Sequence, residues 1–183
     1  MARVTKPVEV RRQEIIEAAK TLFIKEGFDK TNVSDIAKHI NVASGLVYHY
    51  FKSKNELLYA VIDELVKEAA GIKEKIVAEH NGKIIECLEL ILSQRDTLSE
   101  KYDQLLKSLM NDQALMEYTE KRRISSLEPF VLSCIERGNE DGSWNCLYPH
   151  ETSAFILYGI HGIHDYPEHI VSDIILRLVE IKH

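Results

Sequence analysis

Residues that build turns are scarce in this sequence. Its 183 residues include only 8 glycines and 4 prolines, and long stretches contain neither. A β-sandwich or β-barrel needs many turns between short strands, and therefore many such residues. The scarcity excludes these classes and predicts an all-α protein. The hydrophobic fraction of 45% is sufficient for a buried core.

Long apolar runs and paired cysteines are also absent. No run of about 18 apolar residues occurs, so we expect no membrane span. The N-terminal segment MARVTKPVEVRRQEII lacks the apolar core of a signal peptide. The three cysteines, Cys87, Cys134 and Cys146, are widely spaced and form no CxxC pattern. Unpaired thiols of this kind predict a reducing, cytoplasmic environment.

Sequence motifs of catalysis are missing as well. The chain has no glycine-rich phosphate loop, no G-x-S-x-G and no H-E-x-x-H motif. Its acidic residues are scattered along predicted helix faces, as solvated charges are. We therefore expect neither an enzyme nor a bound cofactor.

The charges that are present are divided unevenly along the chain. Residues 1–54 contain 10 Lys and Arg against 6 Asp and Glu, whereas residues 55–183 contain 13 against 23. The net charge of −6 thus separates into a basic head of +4 and an acidic body of −10. Such an asymmetry indicates a head that binds nucleic acid. The basic leader, with Arg3, Lys6, Arg11 and Arg12, is equally compatible with DNA contacts and with an ordinary solvated segment.

The first 40 residues have the spacing of two helices. From about Glu9, apolar residues recur at the intervals of a helix with one buried face. Gly27 is placed to end this helix in a left-handed conformation, with Phe28 packing back onto it. Asn32 and Asp35 have the spacing of a capping box at the start of a short second helix.

A turn and two further helices follow. Asn41 can turn the chain because asparagine tolerates a left-handed conformation. Residues 44–50 are predicted to form a short helix, and the S-x-x-E box from Ser53 to Glu56 opens a long one. Two short helices joined by a tight turn predict a helix-turn-helix unit.

The segment NVASGLVYHYFKSK, residues 41–54, combines a glycine, three neighbouring rings and two lysines. In a helix-turn-helix the second helix enters the major groove, and its first residues face the bases. Gly45 costs a helix about 1 kcal/mol relative to alanine, but its missing side chain permits close approach to DNA. Ser44 can donate to a phosphate or a base edge. The polar rings and cations placed to contact phosphates are Tyr48, His49, Tyr50, Lys52 and Lys54.

These residues and their spacing resemble the DNA-binding domain of the TetR family of bacterial repressors. The resemblance covers about residues 10–60, and turns, core positions and candidate DNA contacts all fall at matching intervals. The matching positions are Gly27, Phe28, Thr31, Asn32, Val33, Ile36, Ala37, Val42, Gly45, Tyr48, Phe51, Lys54 and Leu57. The resemblance implies a helix-turn-helix domain over residues 1–55 and a helical effector-binding and dimerisation domain over residues 56–183.

The resemblance also implies roles for individual residues. Tyr48, Tyr50 and Lys54 correspond to phosphate contacts of the family, and Asn32 joins the predicted DNA-binding set. The positions that correspond to variable, base-reading residues are Ser44, Gly45, Leu46 and His49.

Three positions depart from the family pattern. Ala43 stands where a capping serine or threonine is usual, and Asn41 stands where a turn glycine is usual. Leu46 replaces what is often threonine, which implies an apolar contact such as one to a thymine methyl group. These departures affect the identity of the DNA site more than DNA binding itself.

The resemblance implies a homodimeric transcriptional repressor that binds a double-stranded DNA operator and is released by a small-molecule effector. Large apolar or polar-tipped residues of the body are candidates for the effector pocket, although each also fits an ordinary core role. The pocket candidates are Leu105, Leu109, Met110, Met116, Tyr118, Phe130, Trp144 and Tyr158. The apolar faces of the last two helices suit a four-helix dimer seam. The seam candidates are Phe155, Ile156, Ile163, Ile170, Ile174 and Leu178.

Helical spacing continues to the end of the chain. It covers residues 83–94, 97–110 and 113–137, followed by residues 149–164 and 167–181. Pro129 is expected to kink or restart the helix that contains it, because proline removes a backbone donor.

A histidine-rich segment near the C-terminus keeps other functions open. His161, His164, Asp165 and His169 have spacings that suit a metal site, but Pro167 breaks the helical register. Packing or an interfacial role is favoured there, and no metal is expected. Two alternative functions are a helical module that binds protein rather than DNA, and a small helical enzyme that uses this segment.

Overall fold

The computed structural model describes residues 6–79, 105, 112–162, 170, 173–174 and 177–178. Over these residues the regular structure is entirely helical, which confirms the predicted all-α class. The helices are α1 (Val8–Glu26), α2 (Val33–His39), α3 (Ser44–Tyr50), α4 (Lys54–Glu79), α5 (Gln113–Asp141) and α6 (Pro149–Gly162). No helix in these ranges has the length and hydropathy needed to cross a membrane.

Helix α1 buries the apolar face that its spacing predicts. The buried residues are Ile15, Ile16, Ala18, Ala19, Leu22 and Phe23. Gly27 ends the helix, and its amide donates to the carbonyl of Phe23 at 3.0 Å. Its φ of 89° is positive as expected, but its ψ of 152° lies outside the left-handed helical region. This extended conformation is essentially restricted to glycine. Phe28 then packs edge-on against Phe23, with ring centroids 5.2 Å apart.

Helices α2 and α3 form the predicted helix-turn-helix. At the start of α2, the carboxylate of Asp35 accepts the amide of Asn32 at 3.0 Å, as a capping box requires. The turn passes through Asn41, whose φ of 55° is the left-handed conformation expected of it. The amide of Val42 donates to the carbonyl of Ala37 at 2.9 Å and fixes the exit from the turn.

Helix α4 begins at the predicted capping box with one shifted hydrogen bond. The amide of Glu56 donates to Ser53 Oγ at 3.0 Å. The carboxylate of Glu56 accepts from the amide of Lys52 at 2.7 Å, one residue before the position usual for this motif. The apolar face of the helix is buried at Leu57, Leu58, Val61 and Ile62.

The chain forms two compact units, and the division falls within α4 and within α5. Among the described residues, the first unit contains 6–65, 105 and 112–119. The second unit contains 66–79 and 120–162, together with the described positions from 170 onward. Within α4 the division falls between Leu65 and Val66.

The core of the second unit is built from α5, α6 and the loop between them. Its buried residues are Ile124, Leu127, Val131, Cys134, Ile135, Trp144, Cys146, Ile156 and Leu157. Helix α5 continues through Pro129, so of the two expected effects, a kink or a restart, the restart does not occur. Proline removes a single backbone donor, and the burial of Leu127 and Val131 on either side holds the helix in place.

The loop after α5 is fastened to that helix at two points. The side chain of Asn139 donates to the carbonyl of Cys146 and accepts its amide, both at 2.8 Å. Trp144 lies on Gly138, where an added Cβ would come within 2.6 Å of the indole. A side chain at position 138 would therefore displace the tryptophan.

Several predicted helices lie wholly or partly outside the described residues. These include residues 83–94 and most of 97–110, of which only the buried, helical Leu105 is described. Residues 170, 173, 174, 177 and 178 are helical, in agreement with the last predicted helix.

Candidate nucleic-acid interface

Helix α3 presents one face to the domain and another to solvent. Val47 and Phe51 are buried, as the sequence predicts for core residues that hold the helix at its angle. Tyr48 is 53% exposed, and His49 is exposed beside it. The helix thus carries a rigid row of polar-tipped rings on a surface that the fold itself leaves uncovered.

Gly45 has no packing role inside the protein. A Cβ built on this residue would meet no heavy atom within 4 Å, and the residue is exposed in the first turn of α3. Glycine in a helix costs about 0.5–1 kcal/mol relative to alanine. No neighbour within the described structure therefore requires the side chain to be missing.

The two rings that follow Tyr48 support one another. His49 and Tyr50 meet edge to face, with centroids 5.3 Å apart and planes at 90°. Edge-to-face packing is a favourable arrangement of two aromatic rings, so each ring helps to orient the other.

Lys54 lies at the first position of α4 and contacts a ring. Its Nζ is 4.1 Å from the centroid of Phe28, in the geometry of a cation–π contact. Burial lowers the pKa of Lys54, while the charge of Asp29 opposes this effect. The neighbouring Lys52 is exposed. The ring contact orients the Lys54 ammonium near the end of α3.

Arg12 is the leader residue that the structure brings to α3. Its guanidinium lies 5.0 Å from the ring centroid of Phe51, the residue at the end of that helix. The cation therefore extends the positive charge of Lys52 and Lys54 onto α1. Sequence spacing could not show this contact, because Arg12 and Phe51 are 39 positions apart in the chain.

Glu14 holds two other cations of the leader. Its carboxylate accepts from Lys6 and from Arg11, the latter at 2.7 Å. The hydrogen bond from Lys6 is the main reason that the pKa of Glu14 is lowered, and Arg11 adds to it. A lowered pKa means that this pairing stabilises the fold at neutral pH and is lost as pH falls through the folded-state pKa.

The remaining predicted DNA contacts differ in their exposure. Ser44 and Leu46 are half-buried, and Asn32 is exposed at the start of α2. Ala43 precedes α3 and supplies no side-chain cap, as its methyl group requires. The amide of Leu46 donates instead to the carbonyl of Ala43 at 2.9 Å.

Thr31 is a positioning residue that sequence reasoning gave no role. It is fully buried, and its hydroxyl donates to the carbonyl of Gly27 at 2.9 Å. A polar side chain is buried without cost only when it is hydrogen-bonded. The bond ties the end of α1 to the start of α2. In the sequence, Thr31 is noted only as one of the positions that match the family pattern.

The described pocket candidates fall into two groups. In the first unit, Leu105 is buried and Met116 is exposed, whereas Tyr118 donates to Asp63 Oδ1 at 2.9 Å. In the second unit, Phe130 packs against the core, Trp144 is buried in it, and Tyr158 is exposed. Leu109 and Met110 lie outside the described residues. The indole N–H of Trp144 is buried and has no hydrogen-bond partner among the described residues.

The predicted dimer residues differ in their exposure. Phe155 is 65% exposed on α6, and both Ile170 and Ile174 are exposed. Ile156 is instead buried in the core of its own unit, because it faces the opposite side of α6 from Phe155. We therefore do not retain Ile156 as a surface residue. Leu178 packs against the same core.

Other predicted C-terminal residues lie outside the described part of the chain. These are Ile163, His164, Asp165 and His169, together with the side chain of His161.

Comparison with known proteins adds independent information. The family model described as bacterial regulatory proteins of the tetR family matches residues 15–61. YfiR of Bacillus subtilis strain 168, an uncharacterised HTH-type transcriptional regulator, is 29% identical over 160 residues, which cover 83% of this chain and 77% of YfiR. The match extends beyond the helix-turn-helix into the body.

Two solved structures have a similar fold. RolR in complex with resorcinol has a TM-score of 0.71 at 17% identity, covering 95% of this chain and 89% of RolR. The regulator FadR from Bacillus subtilis in complex with stearoyl-CoA has a TM-score of 0.59 at 20% identity, covering 93% of this chain and 99% of FadR. At these identities the likeness shows the fold alone.

Proposed function

Because the chain belongs to the TetR family of transcriptional regulators, we propose that it is a homodimeric repressor released from its operator by a small molecule. The main observation that supports DNA binding is the open space around Gly45. Gly45 is a helix-weakening residue on an exposed face that no packing contact of the described structure requires. A duplex surface against α3 explains why the position is kept open.

The proposed interface has a centre and a rim. Ser44, Gly45, Leu46 and His49 face the bases, where the small size of Gly45 sets the distance of approach. Phosphates are contacted by the residues around them, which are Asn32, Tyr48, Tyr50, Lys52 and Lys54. Arg12 joins this rim, because its contact with Phe51 places a cation beside α3. The role needs no catalytic group, in agreement with the absence of catalytic motifs in the sequence.

Homodimerisation is supported by the exposed apolar residues of the second unit. Phe155 and Tyr158 lie three positions apart on α6, where they share a face, and are 65% and 62% exposed. Ile170 and Ile174 add exposed apolar surface. Large apolar side chains exposed together mark interaction surfaces. A second copy of the chain is the proposed occupant, since two recognition helices must lie about 34 Å apart to read successive major grooves.

Release by an effector follows from the two-unit organisation. RolR binds resorcinol and FadR binds stearoyl-CoA, so this fold accommodates small molecules of very different size. A molecule that binds better to a dimer with the wrong helix spacing lowers the DNA-bound population, by at most its differential affinity. We place the effector site in the helical body and the protein in the bacterial cytoplasm, where its operator lies.

The test is DNA binding by the full-length protein. An operator is selected from a random duplex pool, and affinity is then measured by fluorescence anisotropy at several salt concentrations. We expect Tyr48→Ala and Lys54→Ala each to weaken binding by about tenfold, as the loss of a DNA contact of 1–2 kcal/mol does. Lys54→Ala should also reduce the slope of log affinity against log salt by about 1, whereas Tyr48→Ala should leave it unchanged.

Lys75→Ala is the matched control, because Lys75 is an exposed lysine on the same helix. It should alter neither affinity nor slope. Unchanged affinity in both interface variants, or binding to every duplex that is insensitive to salt, would support a protein-binding module instead. Turnover abolished by His161→Ala, with DNA affinity intact, would support the enzymatic alternative.

A further inference from the structure

Glu14 binds two cations of the basic leader at once. Its Oε1 accepts from the ammonium of Lys6, and its Oε2 accepts from Nη1 of Arg11 at 2.7 Å. Arg11 lies three residues before Glu14 on the same face of α1. Lys6 precedes the helix and is eight positions from the carboxylate. Both oxygens of Glu14 are therefore engaged, and they tie the segment before α1 to the second turn of that helix.

These three residues lie beside the end of α2. Together with His39 and Ile40 they line one open groove, formed by α1 and the last residues of α2. Asn32, the proposed DNA contact of α2, lies at the opposite end of that helix. A helix of seven residues is about 10 Å long. Glu14 thus holds its two cations near the end of α2 that is farther from Asn32.

Arg12 is directed to a different part of the first unit. Its guanidinium contacts the ring of Phe51 at the end of α3, beside the proposed phosphate contacts. Successive residues of an α-helix point about 100° apart around its axis, so Arg11 and Arg12 lie on different sides of α1. The cations of the leader are therefore divided. Arg12 extends the proposed DNA interface, whereas Lys6 and Arg11 are bonded to a carboxylate of the protein itself.

The bond to Glu14 opposes the use of Lys6 and Arg11 in DNA binding. A cation adds to DNA affinity when it contacts a phosphate and displaces counter-ions from the duplex. A cation that is bonded to a carboxylate must first lose that bond. The hydrogen bond from Lys6 lowers the pKa of Glu14, so the carboxylate stays ionised at neutral pH. Exposed ion pairs add little to stability, so the larger expected consequence concerns the charge available to DNA.

We propose that Glu14 is an autoinhibitory residue, which holds Lys6 and Arg11 away from DNA and so limits the affinity of the protein for duplexes of any sequence. This inference rests on the proposed DNA-binding function. Phosphates are the same in every sequence, so two released cations would strengthen binding to all DNA alike. With these cations restrained, a larger share of the affinity comes from the residues of α3 that face the bases.

Binding of the full-length protein to a duplex of random sequence tests the proposal. Affinity is measured by fluorescence anisotropy at several salt concentrations for the wild type and for Glu14→Gln. Glutamine keeps the shape of the side chain and removes its charge, so both ion pairs are lost. We expect binding to become about fivefold to tenfold tighter, and the slope of log affinity against log salt to steepen by about 1 to 2. Unchanged affinity and slope would overturn the proposal.

Glu17→Gln is the matched control. Glu17 lies on the same helix, lines the same groove and pairs with Lys20 at 2.7 Å. Its replacement changes the net charge by the same amount but releases a cation that lies well within α1, outside the leader. We expect little change in the salt slope. Equal steepening in Glu14→Gln and Glu17→Gln would reveal a general effect of net charge and refute a specific role of Glu14.

Lys6→Gln shows whether this lysine is held away from DNA. In the wild type the substitution should leave the salt slope unchanged, because Lys6 is bonded to Glu14. In the Glu14→Gln variant the same substitution should reduce the slope by about 1, because a phosphate contact is lost. A reduction of the same size in both backgrounds would show that Lys6 contacts DNA despite its ion pair, and would refute autoinhibition.

Operator binding distinguishes this inference from the proposed function. Glu14→Gln should still prefer the selected operator over the random duplex, because the residues of α3 are unchanged. Its Tm should remain close to that of the wild type, which checks that the variant is folded. Selective operator binding with no effect of Glu14→Gln would refute only autoinhibition. Absence of DNA binding in the wild type and in every variant would refute the repressor function as well.

Discussion

At the scale of single residues, Gly45 affects both the stability of α3 and its proposed contact with DNA. The same missing side chain that weakens the helix allows a partner to approach its backbone. Selection for stability alone would favour alanine, since a Cβ meets nothing within 4 Å. At position 45 the stability of the fold therefore favours alanine, whereas the proposed interface favours glycine.

Gly45→Ala should have opposite effects on stability and on binding. It should raise the free energy of unfolding by about 0.5–1 kcal/mol, measured by urea denaturation. It should also weaken operator binding by tenfold or more, because the added methyl group holds α3 away from the bases.

Gly71→Ala is the matched control for this prediction. Gly71 lies within α4, and a Cβ there also meets no heavy atom within 4 Å. It should give a similar gain in stability with unchanged DNA affinity. Equal DNA affinity of the Gly45→Ala variant and the wild type would contradict close approach at this residue.

Residue-level predictions succeeded where a local conformation determines the residue type. Asn41 at a left-handed position and Gly27 at a positive φ follow from backbone sterics that act within a few residues. The ring contacts of Arg12 and Lys54 could not be predicted in this way. They depend on which aromatic side chain the folded chain brings close, and that is a property of packing.

At the scale of elements, α4 and α5 are joined by a tyrosine contact within the first unit. The hydroxyl of Tyr118 donates to Asp63 at 2.9 Å, and its ring meets that of Tyr59 edge to face at 4.5 Å. Tyr118 was predicted to line a pocket. The structure shows it fastening the start of α5 to the first half of α4.

Tyr118→Phe should measure the strength of this attachment. The variant keeps the ring contact with Tyr59 and loses the hydrogen bond, so the free energy of unfolding should fall by about 1 kcal/mol. Chemical denaturation of Tyr118→Phe, Asp63→Ala and the double variant gives the coupling energy. A coupling energy near zero would show that the bond contributes nothing.

Pro129 shows why element boundaries are harder to predict than element types. Helical spacing on both sides of this proline predicted helix correctly, whereas the local rule for proline allowed a restart that does not occur. The burial of neighbouring side chains in the second unit outweighs one missing hydrogen bond. Capping boxes at Asp35 and Ser53 were predictable because the groups that form them are three residues apart.

At the scale of the whole molecule, the proposed repressor needs two associated copies for full DNA affinity. Phe155 and Tyr158 are too exposed to serve the core of one chain, whereas Ile156 between them is buried in it. Apolar spacing alone cannot predict which of these residues is buried and which is exposed, because core and interface positions use the same residue types. Apolar spacing therefore predicts the helix but not which of its faces is exposed.

Replacing both exposed rings should separate the subunits. We expect Phe155→Ser with Tyr158→Ser to be monomeric in analytical ultracentrifugation and to bind a two-half-site operator at least about tenfold more weakly, since one half-site contact is lost. Met116→Ser, which changes an exposed apolar residue of the first unit, should remain dimeric. A dimer that persists in the double variant would place the interface elsewhere.

The position of Trp144 makes its fluorescence a probe of the second unit. It is the only tryptophan of the chain, and it is buried in the core of the second unit against Gly138. Its fluorescence emission therefore reports the second unit alone, without any contribution from the DNA-binding helices. A shift of that emission to longer wavelength signals that water has reached the indole, so local opening of the body can be followed in the native protein without an attached label.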